Sequence, residues 1–180
     1  MKTQYNKSTI KTLIFISTFM LVSSANANGR FKGKAVTTNP NGGVTAVKGG
    51  VAKGQNGGGY ARVRGATTNG QGQATGGGAT TIRGPNGGGA VRGGSFTADD
   101  SGNVNYHGST AATGANGSAA TTGGFNRSEG GGIMGSRSST ATATNGNTYN
   151  GNTTYQSGSG VNHTQACHDA YGNEIKCPSK

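Results

Sequence analysis

Tryptophan is absent, and both leucines of the 180-residue chain, Leu13 and Leu21, lie at its start. From residue 28 onward Val, Ile and Phe together number 14, about 9 % of that stretch against the roughly 20 % below which disorder is the default. That excludes an ordinary globular core. Carboxylates are as scarce: Asp99, Asp100, Glu129, Asp169 and Glu174 are all there are. They stand mostly among turn residues, where Asp caps backbone groups, so no acid–base pair and no catalytic residue is expected. Strong helix formers give way to Gly, Thr, Asn and Ser, and each interior Gly costs a helix about 1 kcal/mol relative to Ala. A long helix is excluded with them. The glycine runs lack the Gly-Lys-Ser/Thr ending and the receiving helix of a phosphate loop. No nucleotide or other cofactor is expected.

What is present begins with a leader. Lys2, Lys7 and Lys11 precede an apolar run from Leu13 to Val22, and Ala25-Asn26-Ala27 offers a small-residue cleavage site. This is the pattern of a secretory signal peptide over residues 1–27, too short for a membrane span. No second apolar run follows, so the chain is expected to be secreted, to the cell surface, the extracellular space or the periplasm. After Ala27 there are 13 Lys/Arg against 5 Asp/Glu, a net charge of +8, and all 37 glycines.

Two signals recur. Asn-Gly and related turn pairs place glycines at Gly42, Gly57, Gly70, Gly87, Gly102, Gly117, Gly130 and Gly146, at intervals of 13 to 17 residues. Asn-Gly suits a type I′ hairpin turn or a solenoid corner, which need φ > 0. Between the turns lie segments rich in Val, Thr and Tyr, each broken by a central Gly, as in Val44 to Gly49 and Tyr60 to Gly65. They predict strands of four to six residues, two per repeat of about 15. The fold class is therefore all-β: a glycine-rich β-solenoid or a short-strand meander over residues 28–160, with plain disorder as the alternative that composition allows. An extra half-unit around Ala74 to Arg83 is expected to break the register. In residues 161–180, Cys167 and Cys177 flank a turn-rich Ala-Tyr-Gly-Asn, and in an exported chain they predict one disulfide closing a terminal hairpin. It contributes roughly 2 to 3 kcal/mol in the loop-entropy account. With Cys167 oxidised, His163 and His168 are surface residues and no metal is expected.

The chemistry-bearing series is a β-former, a cation and a glycine: Lys48, Arg64, Arg83, Arg92 and His107 each precede a Gly, with Arg62 beside Arg64. Stacked at equivalent positions, they would line one edge about 4.8 Å apart and repel unless an anion neutralised them. Lipopolysaccharide, acidic polysaccharide and extracellular DNA are the partners this implies; solvated charges that keep strand edges apart are the plain alternative. Threonine pairs such as Thr67-Thr68 and the row Thr140, Thr142, Thr144 resemble the flat arrays of ice-binding solenoids, at one clean row only. Short Gly/Asn/Thr-rich strands with turns at every repeat are similar in style to curli-type fibre subunits. Departures are a basic charge, a terminal disulfide and few glutamines, so no functional residue carries over.

The sequence thus leads to an exported, non-enzymatic structural protein of the bacterial surface or biofilm matrix, self-assembling through repeated strands in an amyloid-like or adhesive fibre. The alternative is a monomeric basic protein that binds anionic surfaces, with antimicrobial action as one form. An ice-binding solenoid comes third.

Overall fold

The computed structural model describes residues 29–178 apart from Gln55; the expected signal peptide, residues 1–27, lies outside the described residues. Eleven strands form one antiparallel sheet in which spatial order is chain order. They are β1 (Gly29–Thr38), β2 (Val44–Lys53), β3 (Gly59–Thr68), β4 (Ala74–Arg83), β5 (Gly89–Ala98), β6 (Val104–Gly114), β7 (Gly117–Arg127), β8 (Ile133–Ala143), β9 (Thr148–Gln156), β10 (Gly160–His168) and β11 (Glu174–Ile175). Of the two architectures that the sequence allowed, the chain takes the meander.

Ten residues of strand and five of turn make the 15-residue repeat. Strands are twice as long as expected because the central glycines lie inside them: Gly65 pairs with Val47 on one side and Gly77 on the other. Aromatic rings cover several of these glycines. Tyr106 lies along its own strand over Gly108, Tyr149 over Gly151, and Phe96 reaches across to Gly76. A ring laid over a Cβ-less position restores side-chain packing that glycine gives up, which is how a strand tolerates it. Nor does β4 break the register: it is a ten-residue strand paired along its length with β3 and β5.

Seven connections share one geometry, illustrated by 84–88. The first residue's N–H donates to the fifth residue's carbonyl (2.6 Å for Gly84 to Gly88), and the fourth residue's N–H donates to the first residue's carbonyl (3.3 Å for Gly87 to Gly84). The fourth residue is always glycine, with φ between 76° and 86°. Among the described residues nothing but glycine has positive φ. Asn41, Asn56, Asn86 and Asn145 are therefore not in type I′ turns; they sit in a type I turn followed by a left-handed glycine, the three-residue-loop form of the hairpin. The expected turn glycines Gly42, Gly57, Gly70, Gly87, Gly102, Gly117 and Gly146 have positive φ, whereas in 128–132 it is Gly131, and Gly130 does not. The turn's own hydrogen bonds explain the shift: its fourth position is Gly131 in 128–132 and Gly72 in 69–73.

The connections are tied to one another as well. Asn39 in the first turn donates from Nδ2 to Thr67 Oγ1 (3.1 Å) and to the Thr68 carbonyl (3.0 Å) on β3. Thr45 Oγ1 closes this cluster, 2.8 Å from Thr67 Oγ1 and 3.0 Å from Asn39 Oδ1. Further along, the Glu129 N–H donates to Asn103 Oδ1 at 2.8 Å, joining turns two strands apart.

There is one layer and almost no interior. Cys167, 3 % exposed, is the single buried apolar side chain among the described residues. It is bridged to Cys177 with a Cα–Cα distance of 5.3 Å, so the expected disulfide forms and closes β10, the 169–173 turn and β11. The sheet continues unbroken into that hairpin. Among the described residues β10 has an open edge up to Ala166, since β11 covers only Cys167 and His168.

The turn rule is testable within one loop, where a Cβ at Gly130 or at Gly131 meets nothing within 4 Å. Gly131→Ala is expected to destabilise the sheet by about 1 kcal/mol or more, the cost of a left-handed L-residue. Gly130→Ala should change little, as read from denaturant midpoints of the two variants.

Candidate functional site: a basic face opposite a neutral one

In an antiparallel pair, directly opposed residues share a face, and along a strand successive residues alternate. The pairing register therefore assigns every strand residue to one of two faces. On the first, Lys34, Lys48 and Arg64 are direct neighbours across β1, β2 and β3. Two residues along, Lys32, Arg62 and Arg92 follow on β1, β3 and β5, with Gly50 and Thr80 between them. Arg30 lies one row further, and Arg127 and Arg137 are on the same side of β7 and β8. This is the basic face.

It also carries the rings. Phe96, Tyr106 and Phe125 are opposed in sequence across β5, β6 and β7. Tyr106 and Phe125 stack with centroids 5.5 Å apart and planes 28° from parallel. Tyr60, Tyr149 and Tyr155 share this face. Arg137 Nε donates to Thr121 Oγ1 at 2.9 Å, which fixes its guanidinium on the neighbouring strand.

The second face has no Lys, Arg, Asp or Glu in its interior. Its rows hold Thr37, Thr45, Thr67, Thr75 and Thr97 across β1 to β5, then Ala, Val, Gly and Ser, with Lys53, Arg83, His168 and Glu174 only along one border. Over β5 to β10 this neutral face hollows into an open trough of about 1070 Å³, whose polar lining includes Asn105, His107, Asn126, Ser136, Thr154 and Asn162.

The structure thus divides the expected cation series. Lys48, Arg62, Arg64 and Arg92 come together on the basic face, whereas Arg83 lies on the border of the neutral face and His107 in its trough. The five do not stack as one stripe. In a meander each strand reverses the last, so residues 15 apart, such as Ala74 and Gly89, land at opposite ends and on opposite faces. Arg30, Lys32 and Lys34 complete the patch; their strict alternation within one strand was the signal for them. Threonine pairs are split by the same alternation, Thr67 going to the neutral face and Thr68 to the basic one.

Among the described residues no group of three or more His, Cys, Asp and Glu could hold a metal ion. Thr153 Oγ1 and His163 Nδ1 meet at 2.8 Å as an exposed cross-strand pair on β9 and β10. Asp99 and Asp169 serve as turn caps: each takes the side-chain and backbone N–H groups of a residue four further on, Asn103 at 2.8 and 2.9 Å and Asn173 at 2.9 and 2.9 Å. The Asn side chains first, then the backbone N–H groups, hold both carboxyls below the ordinary value of 3.8.

The chain matches no family model, no curated protein and no solved structure. Among the described residues no helix is long and apolar enough to cross a membrane, and the disulfide is compatible with an extracellular or periplasmic location.

The aspartate caps predict a pH response with a definite sign. A folded-state pKa below 3.8 means that the caps' contribution is present above that value and is lost as pH falls through and below it. Asp169→Asn should flatten the acid-induced loosening of the 169–173 hairpin, followed by amide hydrogen exchange at Asn173 between neutral and acid pH. An unchanged acid response in the variant would place the sensitivity elsewhere.

Proposed function

We propose that this is a secreted, non-enzymatic structural protein that works by associating with its own copies in a surface or extracellular matrix. One observation carries the reading: an eleven-strand sheet in which a single apolar side chain is buried. A sheet ordinarily buries at least one face against another layer, and that burial is the dominant favourable term in folding. Here Val63, Ile82, Val91, Phe125 and Met134 stay 41 to 59 % exposed. Association of copies supplies the missing layer, and the open β10 edge offers a second route by main-chain pairing. Sedimentation and negative-stain microscopy of oxidised residues 28–180 at moderate salt are expected to show dimers and larger ribbons or fibres. Monodisperse monomers at high concentration would overturn the reading.

A second reading rests on a separate observation. Among the described residues, nine of the eleven cations within strands share the basic face, and the only carboxylate within a strand, Glu174, is on the other. Lys34, Lys48 and Arg64 stand directly opposite one another, which costs stability unless an anion lies over them. The surface suits a linear polyanion such as an acidic polysaccharide, lipopolysaccharide or extracellular DNA, held by many weak contacts. Its affinity for a defined polyanion, heparin as the probe, should fall at least tenfold between about 50 and about 200 mM salt, with a shallower slope for the double variant Lys48→Gln/Arg64→Gln. A salt-independent affinity would exclude charge as the basis of binding.

A further inference from the structure

We infer that the neutral face of β1–β5 is the surface on which a second copy of this chain docks, sheet against sheet, with both basic faces turned outward. The inference rests on the self-association reading and assigns its surface. Leaving aside the two border rows, β1–β5 place twenty residues on each face. On the neutral side none of the twenty is charged, and apart from Phe31 none is larger than valine. On the other side seven are Lys or Arg.

Charge selects among the ways of stacking two such sheets. Basic face on basic face would bring two sets of seven like charges together. Neutral face on basic face would strip water from seven cations with no carboxylate to receive them, and a desolvated, unpaired charge strongly opposes association. Edge pairing of one β1 with another would juxtapose Arg30, Lys32 and Lys34 with their own copies, the arrangement that charged edge strands serve to block. Only neutral face on neutral face leaves the seven cations of the basic face in water, with Lys53 and Arg83 at the open border of the contact.

Size and shape agree. Five strands about 4.8 Å apart and, without the border rows, eight residues long at about 3.4 Å each cover roughly 650 Å² per copy, so a pair buries about 1300 Å², within the range of stable interfaces. Gly, Ala, Ser, Thr and Val let two sheets approach to the ordinary separation of about 10 Å and interdigitate. Val63, 41 % exposed, stands on the central strand of the patch, and Val91, 52 % exposed, on its β5 side. The trough hollows the neutral face over β5–β10 and so confines a flat contact to the first half of the sheet. Because the same patch serves both copies, the pair is two-fold symmetric and closed.

Neighbouring residues on β4 provide the test, since Ala79 is on the neutral face and Thr80 on the basic one. In sedimentation velocity on oxidised residues 28–180, the native chain and Thr80→Lys are expected to associate alike. Ala79→Lys should weaken association by roughly a hundredfold or more, as a like charge facing its copy across a dry interface does. Mixing Ala79→Lys with Ala79→Glu should restore it. Recovery of both mass and sheet circular dichroism on mixing supports the interface even if either variant alone unfolds; failure to recover overturns it. A native chain that stays monomeric overturns the self-association reading itself. A native chain that associates while Ala79→Lys and Thr80→Lys behave alike overturns only the choice of face.

Discussion

The left-handed glycine at the fourth position of the turn is the constraint on which the molecule depends. It closes a five-residue connection, and with ten-residue strands on either side that length fixes which residues stand opposite one another. Register in a sheet decides faces, because a slip of one residue sends every side chain to the other side. The segregation of cations is thus a product of turn length. A turn longer or shorter by one residue between β2 and β3 would separate Lys48 from Arg64.

Stability and charge pull in opposite directions across the sheet. Backbone pairing, cross-strand threonine contacts and rings lying over glycines hold neighbouring strands, yet none of these covers a face. The basic face gains in water from being left open, whereas the neutral face loses by it. A one-layer protein with two such different sides has a built-in polarity normal to the sheet. Self-association through one side and polyanion contact through the other are compatible, and each leaves the other's surface free.

Much of this was legible in the residues. Asn-Gly spacing located the turns, Gly42 and Gly87 among them, and the Cys167 to Cys177 spacing located the bridge. Strand length was not legible, because glycine is ordinarily a strand breaker and nothing local says that Tyr106 lies over Gly108 or that Phe96 reaches Gly76 from the next strand. The choice of Gly131 over Gly130 required counting from the true strand ends. The cation patch was half legible. Arg30, Lys32 and Lys34 alternate within one strand, but the meeting of Lys48 with Arg64 depends on chain reversal, and the same reversal removes Arg83 and His107 to the other side.

A unit of fifteen residues contains an odd number, and this limits how such a chain can lengthen or shorten. Deleting one strand with its turn would set Gly89 opposite Thr68 in place of Ala74, and every later strand would then present its former basic side with the neutral one. Arg92, Arg127 and Arg137 would change sides together. Two strands and two turns, thirty residues, can be gained or lost with the polarity intact. Heritable variation in the length of this sheet is therefore expected to come in hairpins, so that an even number of strands separates any two chains that keep one charged side.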